Sequence, residues 1–119
     1  MGSIRYDGLT THFEDRLLAH LQIVIVQKLM RDEPFLMSWK DSMSAGDGRT
    51  AIWISPETPL TFKFLGSRVP EINKEWLQRL GESANATTGL VVTREDGKLA
   101  VAEASGNQYP GNLRTDRSA

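Results

Sequence analysis

Four β-branched residues in a row, Ile23-Val24-Ile25-Val26, constrain this chain more than any other feature. They sit inside a stretch with helical spacing. Phe13, Leu17, Leu18, Leu21, Val24, Ile25 and Leu29 recur every three or four residues and predict a helix over residues 12–31. A surface helix normally keeps a polar stripe, yet one turn of this helix is apolar on all sides. Either a sheet covers one side and another element covers the other, or the helix meets a second copy of the chain. In the second case Ile23 and Val26 are the candidate interface of a homodimer. The β-branched run lowers helix propensity by roughly a few tenths of a kcal/mol per residue, which tertiary burial must offset.

Local signals place the other elements around that helix. Thr11-His12-Phe13-Glu14 has the pattern of a capping box, in which hydroxyl and carboxylate each accept an amide at the helix start. Pro34 ends the helix, because the residue before a proline is pushed out of helical geometry. Residues 3–7 alternate around Ile4 and Tyr6 and then meet Asp7-Gly8, a short strand and a turn. Three further stretches alternate with period two: Phe35, Met37 and Trp39; Ile52 and Ile54; Leu60, Phe62 and Phe64. Their short connections predict an antiparallel meander.

A second helix is expected from about Pro70 to Gly81, burying Ile72, Trp76, Leu77 and Leu80. Asp96-Gly97 between two apolar stretches predicts a hairpin with a type I′ turn. The reading is an α+β fold with element order β-α-β-β-β-α-β-β, an antiparallel sheet carrying two helices. One domain is expected over residues 1–103, followed by a disordered tail over 104–119, where the chain turns polar and rich in Gly, Asn and Ser.

Composition narrows the chemistry. Lys and Arg number 14 against 15 Asp and Glu, a net charge of -1 over 119 residues, and this excludes a protein held on nucleic acid mainly by phosphate contacts. With no cysteine, thiolate metal sites, disulfides and a thiol nucleophile are excluded. No secretory signal or membrane-spanning run is visible, so a cytoplasmic protein is expected. His12 and His20 lie about 12 Å apart along a helix, by a 1.5 Å rise per residue, too far to share one metal ion. No cofactor and no catalytic residue is expected.

Two candidate binding features remain. The loop Gly46-Asp47-Gly48-Arg49 could bring backbone amides close to an anion, with Arg49 as a clamp. It lacks the Gly-Lys-Ser/Thr of a phosphate loop, and a tight strand-to-strand turn is the simpler alternative. Trp53 and Lys63 alternate with Ile52, Ile54, Phe62 and Phe64. If the latter set faces the helices, Trp53, Lys63 and Arg49 face outward as an anchor for a protein partner or a stacked base.

The phrases Phe13-Glu14-Asp15-Arg16-Leu17-Leu18-Ala19-His20-Leu21-Gln22, Gly46-Asp47-Gly48-Arg49-Thr50-Ala51-Ile52-Trp53-Ile54-Ser55-Pro56 and Asn73-Lys74-Glu75-Trp76-Leu77 resemble a family of small actinobacterial proteins. That family has no settled function, and its members are frequently labelled ATP-dependent DNA ligase. The resemblance covers residues 1–93 and implies one small α+β domain; after Thr93 the chain departs from the family's short, proline-containing ending. Ligases of that type attack ATP with the lysine of a Lys-x-Asp-Gly motif. Two residues before Asp47 stands Ala45, and two before Asp96 stands Arg94. Alanine has no nucleophile, and arginine stays protonated. The expected function is therefore a non-catalytic binding or accessory module with an unknown protein or nucleic-acid partner, linked by the resemblance to DNA metabolism. The alternative is a ligase-related or other nucleotide-binding enzyme component.

Overall fold

The computed structural model describes residues 1–106 and is α+β, with two helices packed on a mostly antiparallel seven-stranded sheet. The elements are β1 (Gly2–Tyr6), β2 (Leu9–Phe13), α1 (Asp15–Met30), β3 (Phe35–Asp41), β4 (Arg49–Ile54), β5 (Leu60–Lys63), α2 (Lys74–Ala84), β6 (Leu90–Val91) and β7 (Val101–Gly106). Among the described residues no helix is long and apolar enough to cross a membrane.

The alternation around Ile4 and Tyr6 does form β1, and both side chains are buried. Asp7 and Gly8 both take positive φ, the requirement of a type I′ hairpin turn, and they return the chain as β2. Here the capping-box expectation fails. Thr11 and Phe13 are buried strand residues, and Thr11 pairs with Ile4 on one side and Ala104 on the other. Two strand neighbours and a buried face outweigh a local cap that would satisfy two amides. Helix α1 begins three residues later than expected, at Asp15, without a side-chain cap.

β3 and β4 pair antiparallel as expected, but the meander stops there. β5 pairs instead with β1, giving the strand order β4-β3-β7-β2-β1-β5. The hydroxyl of Tyr6 lies between the sheet's two ends. It donates to the carbonyl of Trp53 at 3.1 Å and accepts the amide of Ser55 at 2.8 Å. This contact draws the end of β4 toward β1, so the sheet curls around its apolar face. Gly2 lies at a crowded point of the curl, where a Cβ would fall 2.5 Å from both Leu18 and the Lys63 carbonyl. No other residue fits there without displacing backbone.

α2 starts at Lys74 instead of Pro70, because Asn73 supplies the cap. Its side-chain oxygen accepts from Glu75 at 3.0 Å and Trp76 at 3.1 Å. The helix continues through Gly81 to Ala84. The Asp96-Gly97 turn is not type I′, since only Gly97 has positive φ. The Gly97 amide donates to the Arg94 carbonyl, and the Arg94 amide donates to the Lys98 carbonyl. That is a type I turn closed by a left-handed glycine. Strand β7 then leaves the hairpin, running parallel to β3 at Lys40–Asp41 and antiparallel to β2 as far as Gly106. The first three residues of the expected tail, Ala104, Ser105 and Gly106, are therefore sheet; the rest of it lies outside the described residues.

Candidate binding surface

Two polar regions deserve comparison as sites. The first lies at the start of α2, beneath the 93–99 hairpin. Arg16, on the first turn of α1, grips Glu95 with two nitrogens, at 3.1 and 2.7 Å, and donates to the Glu71 carbonyl at 2.6 Å. Asn73 donates to Glu95 at 2.8 Å, and Arg79 donates to the Glu95 carbonyl at 2.9 Å. The Arg16 guanidinium and the Asn73 amide hold the Glu95 carboxyl at about 2, well below its ordinary range. It remains ionised at neutral pH and accepts hydrogen bonds only, which removes it as a general acid.

His20 stands behind this pair and is completely buried, not on a polar helix face. Its Nδ1 lies 2.7 Å from the Arg16 carbonyl, and its Nε2 lies 2.9 Å from the Asn73 amide. A carbonyl can only accept and an amide can only donate. Nδ1 therefore carries the proton and Nε2 does not, so the ring is neutral with both nitrogens engaged. The ring packs on Trp76 at 4.3 Å, and the Trp76 indole donates to the Thr93 carbonyl at 3.0 Å. The adjoining cleft has a volume of about 300 Å³ and is lined by Phe13, Leu17, Trp76 and Arg94 along with the Arg16–Glu95 pair. Its central polar groups already satisfy one another. This is a clamp holding α1, α2 and the hairpin together.

The second region is the outer face of β4. The alternation predicted outward-facing Arg49, Trp53 and Lys63, and all three are exposed, Trp53 to 60%. Ile54 is fully buried, and Ile52, Phe62 and Phe64 pack partly against the core. The structure joins Arg49 and Trp53 on one strand but not Lys63, whose ladder neighbour is Ser3 of β1. That separation follows from the broken meander.

The loop before β4 is largely self-satisfied. Met43–Ala45 form one turn of 3-10 helix, ended by Gly46 in the left-handed region. The Gly46 and Asp47 amides donate to the carbonyls of Met43 and Ser42. Two amides that an anion would require are thus engaged within the loop, and the Asp47 carboxylate pairs with Lys40. Thr50 donates to Asp41 at 2.6 Å, tying the loop's two ends.

The edge of β4 is different. The Asp41 amide donates to the Gly48 carbonyl, which fixes the phase of the ladder. Even-numbered residues of β4 direct their backbone groups at β3, and odd-numbered residues direct theirs away. Tyr6 takes the outward carbonyl of Trp53. The outward N–H and C=O of Arg49 and Ala51 have no partner strand among the described residues. Next to them stand the exposed Arg49 and Trp53 side chains. Among the described residues no group of three or more His, Asp or Glu is placed to hold a metal ion.

The outward side chains were legible from strand alternation. The Arg16–Glu95–Asn73–His20 clamp was not; only Asn73, in a good capping position before Lys74-Glu75, carried a local signal. No curated protein and no solved structure matches the chain. A family model described as a domain of unknown function, DUF7882, matches residues 1–95, and its span covers β1 through β6 together with the Glu95 that completes the clamp. The chain belongs to that family.

Proposed function

We propose that this protein is a non-catalytic binding module that captures an extended segment of a protein partner along the free edge of β4. The observation that carries the reading is the coincidence of backbone groups at Arg49 and Ala51 that have no partner strand among the described residues with a Trp53 side chain that is largely in solvent. An added strand takes main-chain hydrogen bonds from such an edge, and flanking side chains select its sequence. Tryptophan and arginine are the residues that most often dominate binding energy at interfaces. Arg49 favours an acidic residue in the captured segment, and the near-neutral net charge of the chain argues against a sequence-independent nucleic-acid grip.

The test is affinity capture from the native host with quantitative mass spectrometry, comparing wild type with Trp53→Ala and Arg49→Ala. A partner retained by wild type and lost from both variants is the expected result. Equal capture by all three chains overturns the reading. The ligase-related alternative is separated by incubation with labelled ATP and Mg²⁺. No covalent adenylate is expected, since none of the three Asp-Gly pairs, at Asp7, Asp47 and Asp96, stands two residues after a lysine (Arg5, Ala45 and Arg94 occupy those positions), and an adenylated chain would replace the binding-only account.

A further inference from the structure

The core-facing side of α1 is formed by Leu17, Leu18, Leu21, Val24, Ile25 and Lys28. At 100° per residue, Ala19, Ile23, Val26 and Met30 fall on the opposite side of the helix. Ala19 on that side is 6% exposed, lying where residues 64–70 cross the helix, and Ile23 is half-buried; the remainder is open to solvent, yet apolar. Val26 is 37% exposed and Met30 81%. From Leu17 to Met30 the only charged residue is Lys28, and it is held on the inner side by Asn85 at 3.0 Å and Glu33 at 3.2 Å. The 4-3-4 spacing of Ala19, Ile23, Val26 and Met30 is that of a seam between two helices. Gln22 and Gln27 flank the seam and carry no charge.

We propose that a second copy of this chain covers that seam, with the two α1 helices antiparallel about a two-fold axis between Ile23 and Val26. The proposal is independent of the β4 reading. Three features of one surface make it complementary to itself. The antiparallel arrangement sets Ile23 against Val26 at the centre and Met30, at each end, against the 64–70 segment that lies over Ala19. Beside Ala19 lies a hollow of about 160 Å³, walled by Gln22, Phe64, Val69 and Pro70, where residues 64–70 cross the helix. The exposed Met30 of one copy enters the hollow of the other, and an unbranched thioether suits an irregular gap. Val69, 87% exposed on the rim, is covered in the same step. The operation also carries Asp32, past the end of α1, toward Arg68 on the opposing rim, while the neighbouring Glu33 and Arg31 are paired with each other. Arg68 is exposed and makes no ion pair among the described residues. A patch that supplies both knob and hole closes as a two-fold dimer.

Light scattering after gel filtration, with the chain at tens of micromolar, should give twice the 13.3 kDa chain mass. Met30→Glu should return the mass to that of one chain with an unchanged circular dichroism spectrum, and Arg68→Glu should weaken association severalfold. The chain has no cysteine, so single cysteines report proximity cleanly. Val26→Cys should cross-link with a short bis-maleimide, and Trp53→Cys should not. A wild-type chain that stays monomeric at every concentration overturns the proposal. So does cross-linking through Trp53→Cys as efficient as through Val26→Cys, which also covers the case in which Met30→Glu fails to fold.

Discussion

Arg16 and Trp76 on one side of the molecule, and Arg49 and Trp53 on another, are the same residue types put to opposite uses. Arg16 meets two carboxylate oxygens and a carbonyl; Trp76 is buried, packed on His20 and bonded through its indole nitrogen. Arg49 has no ion pair among the described residues, and most of the Trp53 surface faces solvent. The first pair joins three elements that are far apart in sequence. The second stands beside an edge whose outward backbone groups at Arg49 and Ala51 lack a partner strand among the described residues. Residue type alone does not separate structure from recognition; the count of engaged donors does.

The contrast breaks most visibly at Trp76. Trp76→Ala removes a buried ring and the only hydrogen bond of its indole, and should cost about 3–5 kcal/mol in denaturant unfolding. A loss as small as that of a surface substitution would mean the hairpin does not depend on the clamp. Asn73→Ala removes the α2 cap and should cost about 1 kcal/mol by the same measurement.

A pH titration sharpens the comparison. Glu95 ionises near 2 in the folded protein, against an ordinary value of 4.5. A depressed carboxyl contributes stability that is fully present above the unfolded value and lost as pH falls through the folded one. The Tm difference between wild type and Glu95→Gln should therefore be constant near neutrality, shrink below pH 4.5 and vanish toward pH 2. A gap that persists unchanged at pH 2 would show that geometry, not charge, holds the hairpin. The smallest effects belong to the other region. Trp53→Ala and Arg49→Ala should each shift stability by no more than about 0.5 kcal/mol. A larger loss would place Trp53 in the core and remove the basis for the β4 reading.

Local rules were sufficient where a segment's environment repeats every two or three residues. The alternation at β3 and β4, the outward placement of Arg49, Trp53 and Lys63, and the Asp7-Gly8 turn all follow from neighbours within a few positions. The doubly apolar nature of α1 was equally legible, because four consecutive β-branched residues cannot all face one way on a helix. Thr11 shows where such rules mislead: its cap pattern is real, but strand partners on both sides override it.

The amino-acid order by itself determined which segments are periodic, which side chains alternate outward and which chemistries lack their residues. Tertiary structure decided that β5 crosses to β1, that β7 joins the two halves of the sheet, and that Arg16 meets Glu95 across 79 positions of sequence. The reason is physical. Periodicity records how a segment meets an interior, whereas the choice of partner depends on closing the curled sheet around one core. That closure is a property of the whole chain, and no short stretch of it carries the information.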